Sequence, residues 1–227
     1  MDYKACIFDL DGTLTDTLES LTFSVNETMK EIGLPGITQD QCRQFVGNGA
    51  RVLIEKTLRA GGDEKLSLFD KAFSAYGRIF DENCTYRVEP YEGIPELLKA
   101  LKDRGMKLGV LSNKPDRQAV HVVEEIFGRG VFDIVRGQRE GVPRKPDPAA
   151  ALAIAEAFGA AADETVYIGD SEVDAATGAA AGMETVLVSW GFRSREVLES
   201  AGAGRARIAD SAEEILEMID ERRKIHE

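Results

Sequence analysis

Histidine is nearly missing from this chain. Only His121 and His226 occur among 227 residues, which argues against a Ser-His-Asp triad and against a histidine-rich metal site. Cysteine is scarce as well. Cys6, Cys42 and Cys84 lie far apart, odd in number and without a C-x-x-C pair, so neither a disulfide framework nor a zinc cluster is expected; Cys6 reads as a small core residue of the first strand. Positive charge is the minority sign, with 28 Lys and Arg against 40 Asp and Glu and a formal net charge of −12. Binding to a nucleic-acid backbone draws its affinity from basic patches, so no nucleic acid is expected as a partner. The acidity reads as solubility and leaves room for a locally positive site that takes a small anion. No apolar run approaches the roughly 18 residues of a membrane span. MDYKAC leads straight into a strand pattern with no signal-peptide layout, so the expectation is a cytoplasmic protein with no membrane partner. No pattern decides between monomer and homodimer.

What is present is a soluble globular composition, 43% hydrophobic and 30% charged. Short apolar runs recur at 4–9 (KACIFD), 106–112, 131–135, 165–169, 185–189 and, more weakly, 206–209. They are rich in β-branched residues, lack period-2 alternation and end in Gly, Asp or Asn, as strands covered on both faces do. Between them lie helical patterns at 94–105, 147–160 and 211–224, the first with a Leu97, Leu98, Leu101 stripe and Gly105 as a stop. Alternating strand and helix predicts an α/β fold, a Rossmann-like, mostly parallel sheet covered by helices on both faces. The basic end ERRKIHE reads as a solvated helix terminus.

The alternation fails between the first two strands, where about seventy residues carry helical periodicity, too many for a simple crossover. Leu18, Leu21, Val25, Met29 and Ile32 form one stripe; 49–62 forms a second helix, and 63–83 a third that opens on Asp63. Residues 17–87 are therefore expected to be an inserted helical subdomain on a core of 1–16 and 88–227, with hinges near Asp16 and the EPYEGIP segment at 89–95.

In open parallel sheets ligands bind beyond the carboxyl ends of the strands. The residues found there are Asp9, Asp11 and Thr13 after the first strand, Ser112 and Asn113 after the second, and Asp170, Ser171 and Asp174 after the fourth. Helix capping alone would account for Asp16 or Ser171, but not for the whole set. Carboxylates crowded into one crevice require a cation, and hard oxygen ligands suit Mg2+ together with phosphate oxygens. A carboxylate needs no base to be a nucleophile, so Asp9 can attack a phosphate once positive groups relieve the repulsion, while Asp11 protonates the leaving oxygen and later accepts a proton from water. Gly12 permits a tight turn, and the N–H groups of 11 to 13 are expected to face the phosphoryl oxygens. A lysine completes the set, from Lys145 in the stiff PRKPDP loop or from Lys114 directly after LSN.

Together, DLDGTLTD at 9–16, LSNK at 111–114, RKPDP at 144–148 and GDSEVD at 169–174 resemble the haloacid dehalogenase superfamily of phosphohydrolases, in order and in spacing. The resemblance implies Asp9 as nucleophile, Asp11 as acid/base, Ser112 as a phosphate ligand, and Lys145 rather than Lys114 as the stabilising charge. It further implies Mg2+ held by the Asp9 carboxylate, the Asp11 backbone carbonyl and Asp170, with Asp174 in support. The helical insert resembles the family's small cap. Its FVGNGARVLIEKTL stretch at 45–58, and 16–35 leading into it, resemble the cap of phosphoglycolate phosphatases. Gly47, Asn48 and Gly49 would turn toward the site, and Arg51 or Arg43 would meet a substrate carboxylate. The implied activity is hydrolysis of a small phosphorylated metabolite, with 2-phosphoglycolate first, pyrophosphate or a sugar phosphate as alternatives within the fold, and a non-catalytic phosphometabolite sensor as the alternative outside it. A mutase role is disfavoured because the insert holds no histidine.

Overall fold

A computed structural model describes residues 2–202 and 204–225; His226 and the end of the basic ERRKIHE segment lie outside the described residues. Six parallel strands form the main sheet: β1 (Ala5–Phe8), β4 (Lys107–Pro115), β5 (Ile134–Gln138), β6 (Thr165–Gly169), β7 (Glu184–Val188) and β8 (Arg207–Ala209). Their order is β5-β4-β1-β6-β7-β8, the doubly wound order in which the chain reverses direction across the sheet between β1 and β6. Each strand lies within or beside one of the apolar runs seen in the sequence. The exception in detail is β5, which starts at Ile134 rather than 131 because Phe132 turns into the core, edge-on to Phe8 and Phe127.

The pleat divides β1 between two cores. Cys6 and Phe8 join Leu97, Leu98 and Leu101 of α5 (Ile94–Asp103), Ala119, Val122 and Val123 of α6 (Asp116–Phe127), and Ile215 and Ile219 of α10 (Ala212–Ile225). Ile7 points the other way, with Leu111 and Tyr167, onto Ala151, Ile154 and Ala155 of α7 (Ala149–Ala157). Full burial of such side chains contributes roughly 1.5–3 kcal/mol each, and all four β1 residues have no exposure. α8 (Glu172–Ala181) and α9 (Arg195–Gly202) complete the layers.

The long segment between β1 and β4 is a helical insert of α1 (Leu18–Ile32), α2 (Gln39–Phe45), α3 (Gly49–Ala60) and α4 (Phe69–Asn83). Thr38 and Gln41 start α2 with a reciprocal capping box. The third helix does not open on Asp63. Leu66 is held at φ 56°, outside the helical region, and the Asp63 carboxylate accepts the Ser67 and Leu68 N–H groups in a turn, so α4 starts only at Phe69. Both passages between insert and sheet run through a short antiparallel pair, β2 (Thr15–Asp16) and β3 (Glu89–Pro90). Among the described residues no helix is long and apolar enough to cross a membrane.

Candidate active site

Asp9 follows β1 and Asp170 follows β6, so the chain reversal lies between them. The Asp9 N–H donates to the Ile168 carbonyl at 2.8 Å, which fixes the two strand ends side by side. Asp174, one turn into α8, is brought back under them, its N–H capped by the Ser171 hydroxyl. Ligand atoms of Asp9, Asp170 and Asp174 lie within 4.8 Å of one another, all three buried. Lys145 arrives from the loop after β5 and places its ammonium 2.8 Å from Asp9 Oδ1 and 2.8 Å from Asp174 Oδ1. Tyr167 and Ser171 hydroxyls donate to the two Asp174 oxygens.

Burial in this cluster pushes the Asp9 carboxyl up to about 7, against the pull of the Lys145 ammonium, with the Asp174 charge adding to the rise. Asp170 is likewise raised, by burial first and then by the Asp174 and Asp9 charges. Burial works against the Lys145 ammonium, but the Asp174 and Asp9 carboxylates outweigh it and hold the group charged. The cluster thus carries more negative charge than its lysine balances. Three buried oxygen ligands short of positive charge fit a small hard cation, which supports the Mg2+ expectation.

The first turn departs from expectation. Gly12 sits at φ +87°, and a Cβ there would fall 2.3 Å from Asp170 Oδ2, so glycine is required both by conformation and by close approach. Yet the Gly12 N–H donates to the Thr15 carbonyl and the Thr13 N–H to the Leu10 carbonyl. These amides close the turn and do not face the crevice as the sequence led us to expect. Thr13 itself is buried, its hydroxyl unpartnered and its carbonyl taken by the Trp190 indole at 3.1 Å.

A cavity of about 50 Å3 lies over the carboxylates, lined on the sheet side by Asp9, Asp11, Asp170, Ser112 and Lys114 and on the insert side by Leu21, Val46, Leu53, Tyr76 and Phe80. Ser112 and Asn113 are both brought here, but the Asn113 carboxamide is committed: it bonds the Lys145 backbone N–H and carbonyl and the Gly47 carbonyl. Its side chain braces the Lys145 loop against the Gly47 turn. Lys114 is also at the site, 2.9 Å from Asp11 Oδ1 with a side chain 1% exposed.

The GNG turn does reach the sheet domain. Asn113 holds the Gly47 carbonyl at 3.0 Å and Arg144 the Asn48 carbonyl at 2.9 Å, and a Cβ on Gly49 would approach the Asn113 carbonyl to 3.3 Å. Arg51 is not brought to the cavity. Its guanidinium lies 4.4 Å over the Phe69 ring and pairs with Glu55 at 3.2 Å, since α3 turns that position away from the sheet. Arg43 lines an outer cleft instead, together with Asp40, Lys56 and Glu172.

Sequence reasoning missed the loop after β7, residues 189–193. The Phe192 N–H donates to Asp170 Oδ2 at 2.7 Å, and Gly191 leaves no room for a side chain, because a Cβ would meet Asp170 Cβ at 2.3 Å. Arg193 pairs with Glu172 at 2.9 Å and donates to the carbonyls of Arg43 at 3.0 Å and Val46 at 2.8 Å. The signal was there: SWGFR follows a strand, as Asp9 and Asp170 do.

Comparison with known proteins agrees with this architecture. The chain is 36% identical over 207 residues to a phosphoglycolate phosphatase of Rhodospirillum rubrum, covering 88% of this chain and 85% of that one. It is 32% identical over 193 residues to a phosphoglycolate phosphatase of Aquifex aeolicus, covering 83% and 86%. The crystal structure of a candidate phosphoglycolate phosphatase from Lactobacillus delbrueckii superposes with a TM-score of 0.86 at 32% identity, over 96% of this chain and 99% of the other. The family model described as haloacid dehalogenase-like hydrolase matches residues 6–188, a span that takes in the four acidic and basic segments, the helical insert and the sheet from β1 to β7. The chain belongs to the haloacid dehalogenase-like hydrolase family.

Proposed function

We propose that this chain is a magnesium-dependent phosphatase that hydrolyses a small phosphorylated metabolite, 2-phosphoglycolate, through an aspartyl-phosphate on Asp9. As an enzyme it is a phosphoric monoester hydrolase. The observation that carries the reading is the Lys145 ammonium bridging Asp9 and Asp174 beside a three-carboxylate cluster. A buried carboxylate next to a buried ammonium can approach a phosphate that it would repel in water.

Asp9 attacks phosphorus, the ester P–O bond breaks, and the leaving oxygen takes a proton from Asp11. Water then attacks the acyl phosphate and gives its proton to Asp11, and orthophosphate departs with the Asp9 carboxylate restored. The Asp9 and Asp170 carboxylates and the Asp11 backbone carbonyl would hold Mg2+, with Asp174 in support. When bound, the ion offsets the charge of the phosphate dianion. Ser112 contributes its hydroxyl to the phosphoryl oxygens, and Lys145 keeps Asp9 oriented. Residues 17–87 form the cap, which closes on the core of 1–16 and 88–227 about the β2/β3 pair and excludes water from the first step. Two relatives named phosphoglycolate phosphatase support 2-phosphoglycolate over a sugar phosphate.

The test is phosphate release with Mg2+, with and without chelator, from 2-phosphoglycolate, pyrophosphate and sugar phosphates. The expected result is a preference for 2-phosphoglycolate that disappears with chelator and in Asp9→Asn. Even turnover across the panel rejects the substrate, and an active Asp9→Asn enzyme rejects the nucleophile.

A further inference from the structure

We infer that Lys114 receives a second anionic group on the substrate, so that the cavity selects phosphate monoesters of a short carboxylic acid over those of neutral alcohols. The inference rests on the phosphatase reading and adds the residue that sets its specificity. Once the phosphoryl group sits at Asp9, the rest of the substrate must lie against what remains of the cavity wall. The insert side offers no charged side chain: Leu21, Val46, Leu53 and Phe80 are apolar, and Tyr76 brings a neutral hydroxyl. The Asp170 carboxylate repels an anionic end.

Two cations line the cavity, Lys114 and Arg193. Arg193 is spent: Nε donates to Glu172, Nη1 to the Arg43 carbonyl and Nη2 to the Val46 carbonyl. Lys145 lies behind the wall on Asp9 and Asp174. Lys114 differs from both. An ammonium has three protons to donate, and among the described residues a single acceptor meets them, Asp11 Oδ1 at 2.9 Å. A further side is covered by the Phe80 ring, 4.6 Å away, which attracts the charge but accepts no conventional hydrogen bond. A side chain 1% exposed cannot make up the remainder from bulk water. A buried cation with unused donors, on the wall of the cavity that lies over Asp9, matches a carboxylate carried by the same ester as the phosphoryl group.

The test compares 2-phosphoglycolate with 2-hydroxyethyl phosphate, which keeps the two-carbon chain and lacks the charge. Wild type should favour 2-phosphoglycolate in kcat/KM, and Lys114→Met should collapse that ratio by about 10²-fold, chiefly through KM. Lys114→Arg should restore much of the ratio, and remains informative if the methionine variant does not fold. An equal fall on both substrates would overturn the inference and make Lys114 a positioning residue for Asp11; an unchanged ratio, or no preference in wild type, would overturn it too. Wild type inactive on both esters would refute the phosphatase reading itself, and the inference with it.

Discussion

Arg193→Ala tests whether the cap is latched from the sheet domain. The Arg193 guanidinium catches the carbonyls of Arg43 and Val46, at 3.0 and 2.8 Å, where α2 ends. Those carbonyls carry the negative end of the helix dipole, so a cation is well placed there. Hydrogen bonds to a charged group contribute roughly 1.5–3 kcal/mol each. Both carbonyls regain water when the latch opens, so the lower figure applies, and two such bonds give about 3 kcal/mol. That shifts the closed-to-open ratio by about 10²-fold. Asn113 and Arg144 still hold the Gly47 and Asn48 carbonyls, so the turn is weakened rather than freed. Amide hydrogen exchange across residues 43–48 should accelerate by a comparable factor, including the Val46 N–H that bonds the Cys42 carbonyl. Turnover of 2-phosphoglycolate should fall in kcat/KM, while Arg193→Lys, which keeps the charge but loses the fork, should fall between. Exchange in this segment unchanged within threefold would refute the latch, because that readout depends neither on the substrate nor on the chemistry.

Mg2+ at about 100 times its dissociation constant should stabilise the fold by about 2.7 kcal/mol, roughly 5–10 °C in Tm for a chain of this size. The shift should vanish in Asp170→Asn; an equal shift in that variant would remove Asp170 from the ligand set. Lys145→Met leaves Asp9 and Asp174 without their shared cation, which costs about 3–5 kcal/mol when a buried pair loses one partner. Thermal melting without metal should drop by roughly 10 °C, and a drop under about 2 °C would show that the bridge contributes little.

The sheet was legible because strands buried on both faces have one reading: KACIFD, TVYIG and TVLVS leave no amphipathic alternative. Local order was less so. Asp63 looks like a helix cap by its chemistry, and it does cap, but it caps a turn, since Leu66 takes a conformation that no periodicity announces. Arg51 follows a glycine turn that reaches the site, yet one residue decides which way a helix face points, and Phe69 with Glu55 holds it outside. The amides of Gly12 and Thr13 show the same limit. Their residue types suit a phosphate cradle, but whether an N–H faces a ligand or closes its own turn is set by the carbonyls of Thr15 and Leu10.

The choice between Lys145 and Lys114 rests on a premise the structure does not share. Residue types in sequence suggest one positive charge for one phosphate, and the motifs favour Lys145. The geometry uses both lysines, on different carboxylates: Lys145 behind the cavity wall on Asp9 and Asp174, Lys114 on the wall itself with Asp11. Asp9, Asp11, Asp170 and Asp174 bring four carboxylates to one strand-end crevice, and two ammoniums with one divalent cation match that charge. A phosphate arriving with a second negative group then needs a donor that the carboxylates have not already saturated. Lys145 has two carboxylates within 2.8 Å, whereas Lys114 has one acceptor and an aromatic face. The two lysines therefore differ in the number of donors each has left, a quantity fixed for Lys114 by packing between α4 and β4 and invisible in the order of residues along the chain.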